Sequence, residues 1–252
     1  MTGRRHAVLS IESTSVQDYV KAIYAATEWQ GDAVTATHLA GRLDVANSSV
    51  TGMVTKLVDL GLADHRKYGP IGLTSSGRSL ALAMVRRHRL IETFLVTELG
   101  YGWEEVHEEA ERLEHTVSDA FVERLDAKLG HPPRDPHGDP IPAADGYVRY
   151  PRASRLDALD DGHRGPLVRV SDKDPGVLRF LDRHGISLDD HLLVGRSSRG
   201  TFRIRRMDPA DGALPSWLDV AAPVTDALWI GIGTGHVGCV LPVGAGTPDR
   251  TA

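Results

Sequence analysis

A single cysteine, Cys239, stands in a chain of 252 residues, so no disulfide can form within it, and a zinc site built on several thiolates is excluded. That scarcity suits a reducing compartment. Long apolar runs are missing as well: the stretch 228–246 is broken by Thr234, His236, Pro242 and repeated glycines, and it reads as short strands and turns. No membrane partner is expected. The opening MTGRRHAVLSIEST carries two arginines without the apolar segment of a secretion signal, which predicts a cytoplasmic protein. Also absent are a Gly-x-Ser-x-Gly elbow, a Walker A loop and an HExxH zinc motif, so nothing supports hydrolase or kinase chemistry. No catalytic residue is assigned, and the chain is not read as an enzyme.

With 41% hydrophobic and 25% charged residues the chain can bury real cores, and its length points to about two globular domains. The formal net charge of -5 has the wrong sign for a whole-chain nucleic-acid binder. Distribution changes that reading. Across residues 1–75 the bases Arg4, Arg5, Lys21, Arg42, Lys56, Arg66 and Lys67 balance Glu12, Asp18, Glu28, Asp32, Asp44, Asp59 and Asp64, while EEVHEEAERLEH at 104–115 is strongly acidic. Such a run is either a solvated helix face or a cation site.

Val16, Tyr19, Val20, Ile23 and Tyr24 recur at helical spacing and predict an amphipathic helix over 15–29, with Asp18 off the apolar stripe. A second helix over 35–43 and a short link follow, and then a third helix that Asn47 or Ser48 can cap. This third helix turns Val50, Met53, Val54 and Leu57 inward and Ser48, Ser49, Thr51, Gly52, Thr55 and Lys56 outward. Two extended pieces around Gly69-Pro70 predict a hairpin. Helix, turn, polar-faced helix and basic hairpin together make a winged helix-turn-helix, with the third helix entering the major groove and Arg66 and Lys67 meeting phosphate. The competing reading is a three-helix structural bundle.

A long helix is predicted from Gly77 to Leu99, with His88 on the same line as Leu80, Met84, Ile91 and Leu95, and an acidic helix from Trp103 to Leu129. His107, Glu111, Glu114 and His115 then share one helix face, and His88 and Glu92 form an i, i+4 pair on the preceding helix. Neighbouring carboxylates repel, and a divalent cation turns that repulsion into attraction. The mixed imidazole and carboxylate set suits Mn, Fe, Co, Ni or Zn, although a histidine on an apolar stripe or a glutamate run also has an ordinary structural reading. Residues 130–165 read as an ordered loop and a linker. Beyond them short β-like segments, with a small helix at 176–184, predict a compact small barrel. Gly233 to Gly238 matches GxGxxG, but too little chain follows to build a dinucleotide fold, and barrel turns explain it. Cys239 reads as a buried small hydrophobe.

The segments DYVKAIY, VANSSVTGMVTKL, RKYGPIGLTSSG, RRHRLIETFL, VHEEAERLEHTVSD and PHGDPIP, in that order, resemble the diphtheria toxin repressor family of metal-dependent transcription regulators over about residues 15–145. The resemblance implies a multi-domain α+β protein: a winged helix-turn-helix DNA-binding domain at 1–75, a helical metal-binding and dimerisation domain at 76–145, a linker at 146–164 and an SH3-like small β-barrel at 165–252. It implies a homodimer that binds double-stranded operator DNA when metal is present and represses metal-uptake genes. Carried over by position, the primary metal site uses Asp18, Glu111, Glu114 and His115. An ancillary site uses His88, Glu92 and His107, with Asp172 or Asp174 from the terminal domain. Base contacts fall to Ser48, Ser49, Thr51 and Gly52, and phosphate contacts to Lys56, Arg66 and Lys67. Iron-responsive relatives have Met and Cys where this chain has Asp18 and Glu111, and oxygens replacing sulfurs favour Mn²⁺ as cofactor, with Fe²⁺ as the alternative. The manganese transport regulator is the nearer resemblance, although Lys21 replaces the further acidic ligand found in its short members, which points away from their closely spaced metal pair.

Overall fold

Ser13 opens the first helix, α1 (Thr14–Glu28), whose apolar stripe Val16, Val20, Ile23 and Tyr24 is buried. The computed structural model describes residues 13–29, 31, 33–66, 69–207 and 216–233. Helix α2 (Ala36–Leu43) begins at Thr35, whose hydroxyl accepts from the His38 backbone N–H, and ends at Asp44 in the left-handed conformation. Helix α3 (Asn47–Asp59) follows. Its N-cap is Ala46, with no side-chain cap bond, so neither Asn47 nor Ser48 caps it; both lie inside the helix. Val50, Val54 and Leu57 are buried as expected, while Met53 is only half-buried.

Strands β1 (Ala63–His65) and β2 (Ile71–Leu73) pair antiparallel as the wing. The Ile71 N–H donates to the Val34 carbonyl at 2.9 Å, which ties this hairpin to the segment before α2. Helix α4 (Ser75–Leu99) starts where Thr74 donates its hydroxyl to the Gly61 carbonyl. At Gly77 the helix passes so close to the chain after α3 that a β-carbon would lie 1.8 Å from the Leu62 carbonyl oxygen. Only glycine permits that approach.

The chain divides into two compact units, and the division falls within α4. The first runs up to His88 and takes in Pro142–Tyr147; the second holds Arg89–Ile141 and the described residues from Val148 onward. In the second unit the acidic segment is two helices, α5 (Val106–Glu114) and α6 (Asp119–Lys128), where the sequence pattern predicts one. The break has a local cause: the Ser118 side chain accepts from the Phe121 N–H and starts a new helix. Leu90, Ile91, Leu95, Val106, Ala110, Val122, Leu125 and Ile141 make the core these helices share.

Strands β3 (Ala153–Arg155), β4 (Arg164–Val170), β5 (His191–Arg196), β6 (Phe202–Arg206), β7 (Leu218–Val220) and β8 (Leu228–Gly231) form an antiparallel sheet in the order β3-β8-β4-β5-β6-β7, consistent with an SH3-like domain. Helix α7 (Pro175–Arg183) crosses between β4 and β5 and buries Val177, Leu178 and Leu181 against the sheet residues Leu167, Leu192, Val194, Ile204 and Ile230. A one-turn helix, α8 (Val224–Ala227), leads into β8. Ala153–Arg155, within the stretch read as linker, pairs with β8 and so belongs to the sheet. Of the stretch 228–246, read as short strands and turns, β8 is described; Thr234 onward, with Cys239 and most of the glycine motif, lies outside the described residues.

Candidate functional site

On α3, Ser48, Ser49, Thr51, Gly52 and Thr55 are exposed and Lys56 is half-exposed, opposite the buried Val50, Val54 and Leu57. Thr51 and Thr55 donate their hydroxyls to the carbonyls one turn back, Asn47 and Thr51, at 3.0 Å each. Small side chains folded onto their own helix leave its surface low, so the helix can approach base edges closely. Arg66 is exposed beside the wing; Lys67 lies outside the described residues.

The second unit gathers a different set. Glu92 on α4 is almost wholly buried, and His107 on α5 places Nδ1 3.2 Å from Glu92 Oε1 and 3.0 Å from Asp172 Oδ2. Its other nitrogen, Nε2, is 3.6 Å from Glu111 Oε1. Burial disfavours a charged His107, but its hydrogen bonds and charge interactions with Asp172 and Glu92 outweigh that and raise its pKa to about 10. Burial also works to raise Asp172, yet His107 holds it well below the usual carboxylate range. An imidazolium here balances two carboxylates, the electrostatic task a divalent cation performs. Asp174 does something else: its carboxylate caps α7, accepting from the Gly176 N–H at 2.8 Å.

A residue the sequence reading did not single out as a ligand joins this set. Glu92, His137 and Asp172 each offer a donor atom, all within 4.8 Å of one another. His137 sits in the loop after α6, fully buried, with Nε2 2.6 Å from the Trp103 carbonyl and its ring stacked on the Trp103 indole at 6.5 Å. That leaves Nδ1 toward Glu92 Oε2, at 3.8 Å. Burial opposes its protonation, but the charges of Glu92, Asp135 and Asp172 raise its pKa. PHGDPIP was the signal in the sequence, and it marked a loop whose side-chain directions no periodicity could supply.

Salt bridges hold that loop in place. Arg169 on β4 donates from Nε to Asp139 Oδ1 at 2.7 Å, and Arg89 on α4 lies 3.5 Å from both Asp135 and Asp139. Asp135 Oδ1 accepts from the His137 and Asp139 N–H groups, and burial, Asp139 and Glu92 push its pKa up to about 8. At Gly138, with φ +90°, a β-carbon would lie 2.1 Å from the Val168 carbonyl oxygen, so the loop rests directly on β4.

The residues assigned to the primary site divide between the units. Glu114 closes α5 fully buried, with Oε1 3.3 Å from His115 Nε2. Glu111 is half-exposed one turn earlier. Asp18 is half-buried on α1 of the first unit, and in that unit Lys21, one turn on, approaches His88 Nδ1 at 3.0 Å. An ammonium can only donate, so His88 Nδ1 is the acceptor there. His88 precedes Glu92 by one turn of α4. A carboxylate as buried as Glu114 calls for positive charge beside it, and the oxygen and imidazole donors fit a hard or borderline divalent ion.

Residues 13–71 match the N-terminal DNA-binding domain of the iron dependent repressors, and residues 74–143 match their metal binding and dimerisation domain. The iron-dependent repressor IdeR of Mycobacterium tuberculosis is 39% identical over 171 residues, covering 66% of this chain and 71% of its own. The chain belongs to the diphtheria toxin repressor family. The diphtheria toxin repressor of Corynebacterium jeikeium is 32% identical over 185 residues, or 71% of this chain and 77% of that one. Among solved structures, a manganese-dependent transcriptional repressor in complex with manganese is 51% identical with a TM-score of 0.80, covering 86% of this chain and 99% of that one. The manganese regulator SloR is 34% identical with a TM-score of 0.70, over 85% and 97%. The chain is thus a metal-dependent transcriptional repressor of this family, whose members are regulators and not enzymes. Its DNA-binding and dimerisation domains indicate a homodimer on operator DNA, and among the described residues no helix is long and apolar enough to cross a membrane.

Proposed function

We propose that this protein is a cytoplasmic, manganese-activated repressor that binds operator DNA as a homodimer and controls metal-uptake genes. The observation that carries the metal assignment is the donor chemistry. The proposed primary set of Asp18, Glu111, Glu114 and His115 contains three carboxylates and one imidazole, and the second set of Glu92, Asp172 and His107, with His88 and His137 beside Glu92, again contains no sulfur. Oxygen-rich donor sets suit Mn²⁺ better than softer ions. A manganese-dependent repressor at 51% identity supports the same reading.

A bound ion would supply the positive charge that the buried Glu92 and Glu114 carboxylates require. Asp18 belongs to the unit that carries the reading helix, and Glu111, Glu114 and His115 to the other, so filling the primary set links metal uptake to the DNA-binding form. Linkage then requires DNA to tighten metal binding by the factor with which metal tightens DNA binding. In the bound form Ser48, Ser49, Thr51 and Gly52 meet base edges, and Lys56, Arg66 and Lys67 meet phosphates. The domain limits in this reading are 1–75 for DNA binding and 76–145 for metal binding and dimerisation, with the SH3-like domain starting at β3 rather than at residue 165.

Mobility-shift titration on the region upstream of the protein's own gene tests this. Retardation with Mn²⁺ that is lost on chelation is expected, and complexes indifferent to chelator would sink the proposal. Iron is the second reading, favoured by the iron-dependent repressors at 34% and 39% identity. Anaerobic titration with Fe²⁺ beside Mn²⁺ separates the two: manganese activation at the lower free concentration is expected, and the reverse order assigns iron.

A further inference from the structure

The outer face of the terminal sheet carries a feature that metal binding does not use. The segment 191–206 contains Arg196, Arg199, Arg203, Arg205 and Arg206 and no acidic residue, in a chain of net charge -5. Arg206 is occupied, donating to the Gly185 carbonyl and lying 3.9 Å from Asp190. The other four differ. Arg203 and Arg205 alternate with the buried Ile204 along β6, so both project from the face turned away from the core. Their guanidinium carbons stand 4.3 and 4.7 Å from the centre of the Trp217 ring.

Room for that indole is made by Gly195 on β5, where a β-carbon would lie 2.7 Å from the Trp217 ring. Arg196, paired with Phe202 and stacked on it at 3.9 Å, lies on the Ile204 side of the sheet and is not part of this face, whereas exposed Arg199 rides on the β5–β6 turn, in which the Ser197 hydroxyl accepts from the Arg199 and Thr201 N–H groups. Asp219 is the register partner of Arg203 across β7, but among the described residues no carboxylate forms an ion pair with Arg196, Arg199, Arg203 or Arg205. The Nε atoms of Arg203 and Arg205 are buried without a hydrogen-bond partner, and a guanidinium stacked on a ring keeps its terminal N–H groups for an outside acceptor such as phosphate oxygen.

We propose that this arginine and tryptophan face of the SH3-like domain is a second contact for duplex DNA, holding backbone phosphates without reading bases. Charge complementarity selects the partner. A repressor is already committed to a polyanion, and two guanidiniums pre-set on Trp217, with Arg199 on the turn beside them, add affinity for any duplex beyond the stretch read by α3. The inference goes beyond the metal assignment and does not depend on which ion activates the protein.

The test uses the full-length, Mn²⁺-loaded protein and a random-sequence duplex, with binding followed by fluorescence anisotropy across a salt series. The double variant R203Q/R205Q is expected to flatten the dependence of log affinity on log salt by about two, close to one released counterion per lost phosphate contact. An unchanged slope overturns the proposal. Because Trp217 packs on both side chains, a wild-type measurement stands beside the variant: phenylglyoxal modification of arginines, read by mass spectrometry with and without the duplex. Protection of Arg199, Arg203 and Arg205 together with Arg66 is expected. If DNA protects Arg66 while Arg199, Arg203 and Arg205 react as in free protein, this inference fails and the winged-helix reading stands; loss of protection at all four sinks both. Stronger protection of the sheet arginines by polyglutamate than by duplex at equal charge assigns the face to an acidic protein partner and also overturns the proposal.

Discussion

The two units spend their interiors on different things. Among the described residues before Arg86 no charged side chain is buried; the helix-turn-helix packs on Val16, Ile23, Leu39, Val54 and Leu57 and keeps its polar groups outside. In the first unit the buried charged or imidazole side chains among the described residues are Arg86 and His88, both on α4 at the unit's edge, whereas from Arg89 to Arg169 the interior of the second unit holds Arg89, Glu92, Glu114, Asp135, His137, Asp139 and Arg169. DNA is read by a surface, which needs only a firm apolar support. Metal sensing needs donors withdrawn from water, and buried charges are tolerable only when something of opposite sign stands beside them. The interior of the second unit is therefore the more responsive of the two.

The largest expected effect tests that contrast directly. Arg169→Ala leaves Asp139 with a buried charge short of its 2.7 Å partner and should destabilise the protein by about 3–5 kcal/mol. The double change Arg169→Met with Asp139→Leu should recover much of the loss in chemical denaturation, because it removes both charges together. No recovery would mean that packing of Arg169 over Trp229, at 4.1 Å, matters more than charge balance. In the first unit Leu57→Ala should cost roughly 2–5 kcal/mol through the cavity it leaves. Unlike the Arg169 change, it should leave the number of Mn²⁺ ions bound unaltered in calorimetry; a lost ion would dissolve the separation of roles.

Smaller in energy is the loss of coupling. Asp18→Ala should remove the Mn²⁺-dependent gain in operator affinity, an effect of about 5- to 150-fold for ordinary allosteric linkage, with little change in the melting temperature of the metal-free protein. Full Mn²⁺ activation of that variant would refute the proposed primary set. The smallest effect belongs to the reading face. Lys56→Ala should shift stability by less than about 0.5 kcal/mol, as exposed changes do. It should nonetheless flatten the salt dependence of DNA binding by about 0.9, measured by anisotropy. A large stability loss there would make α3 a packing helix and return the three-helix bundle to consideration.

Much of this was legible along the chain, because helices announce themselves through local repetition. The stripe of α1, the polar face of α3, the wing around Gly69-Pro70 and the long α4 all follow from spacing within a few residues. The resemblance supplied the donors Glu92 and His107, and it narrowed the terminal-domain ligand to Asp172 or Asp174. It could not choose between them, since two carboxylates two residues apart differ only in where the chain aims them. In the fold Asp172 faces His107 and Asp174 caps α7, which supports proposing Asp172. Three-dimensional packing also divided the acidic helix at Ser118, brought Ala153–Arg155 into the sheet, and drew His137 into the interior through Trp103, Arg89 and Arg169. Periodicity reports which face a residue occupies on its own helix or strand. A loop histidine, or a glycine that lets an indole lie across a strand, takes its meaning from chain far away in sequence, and only the completed fold brings those parts together.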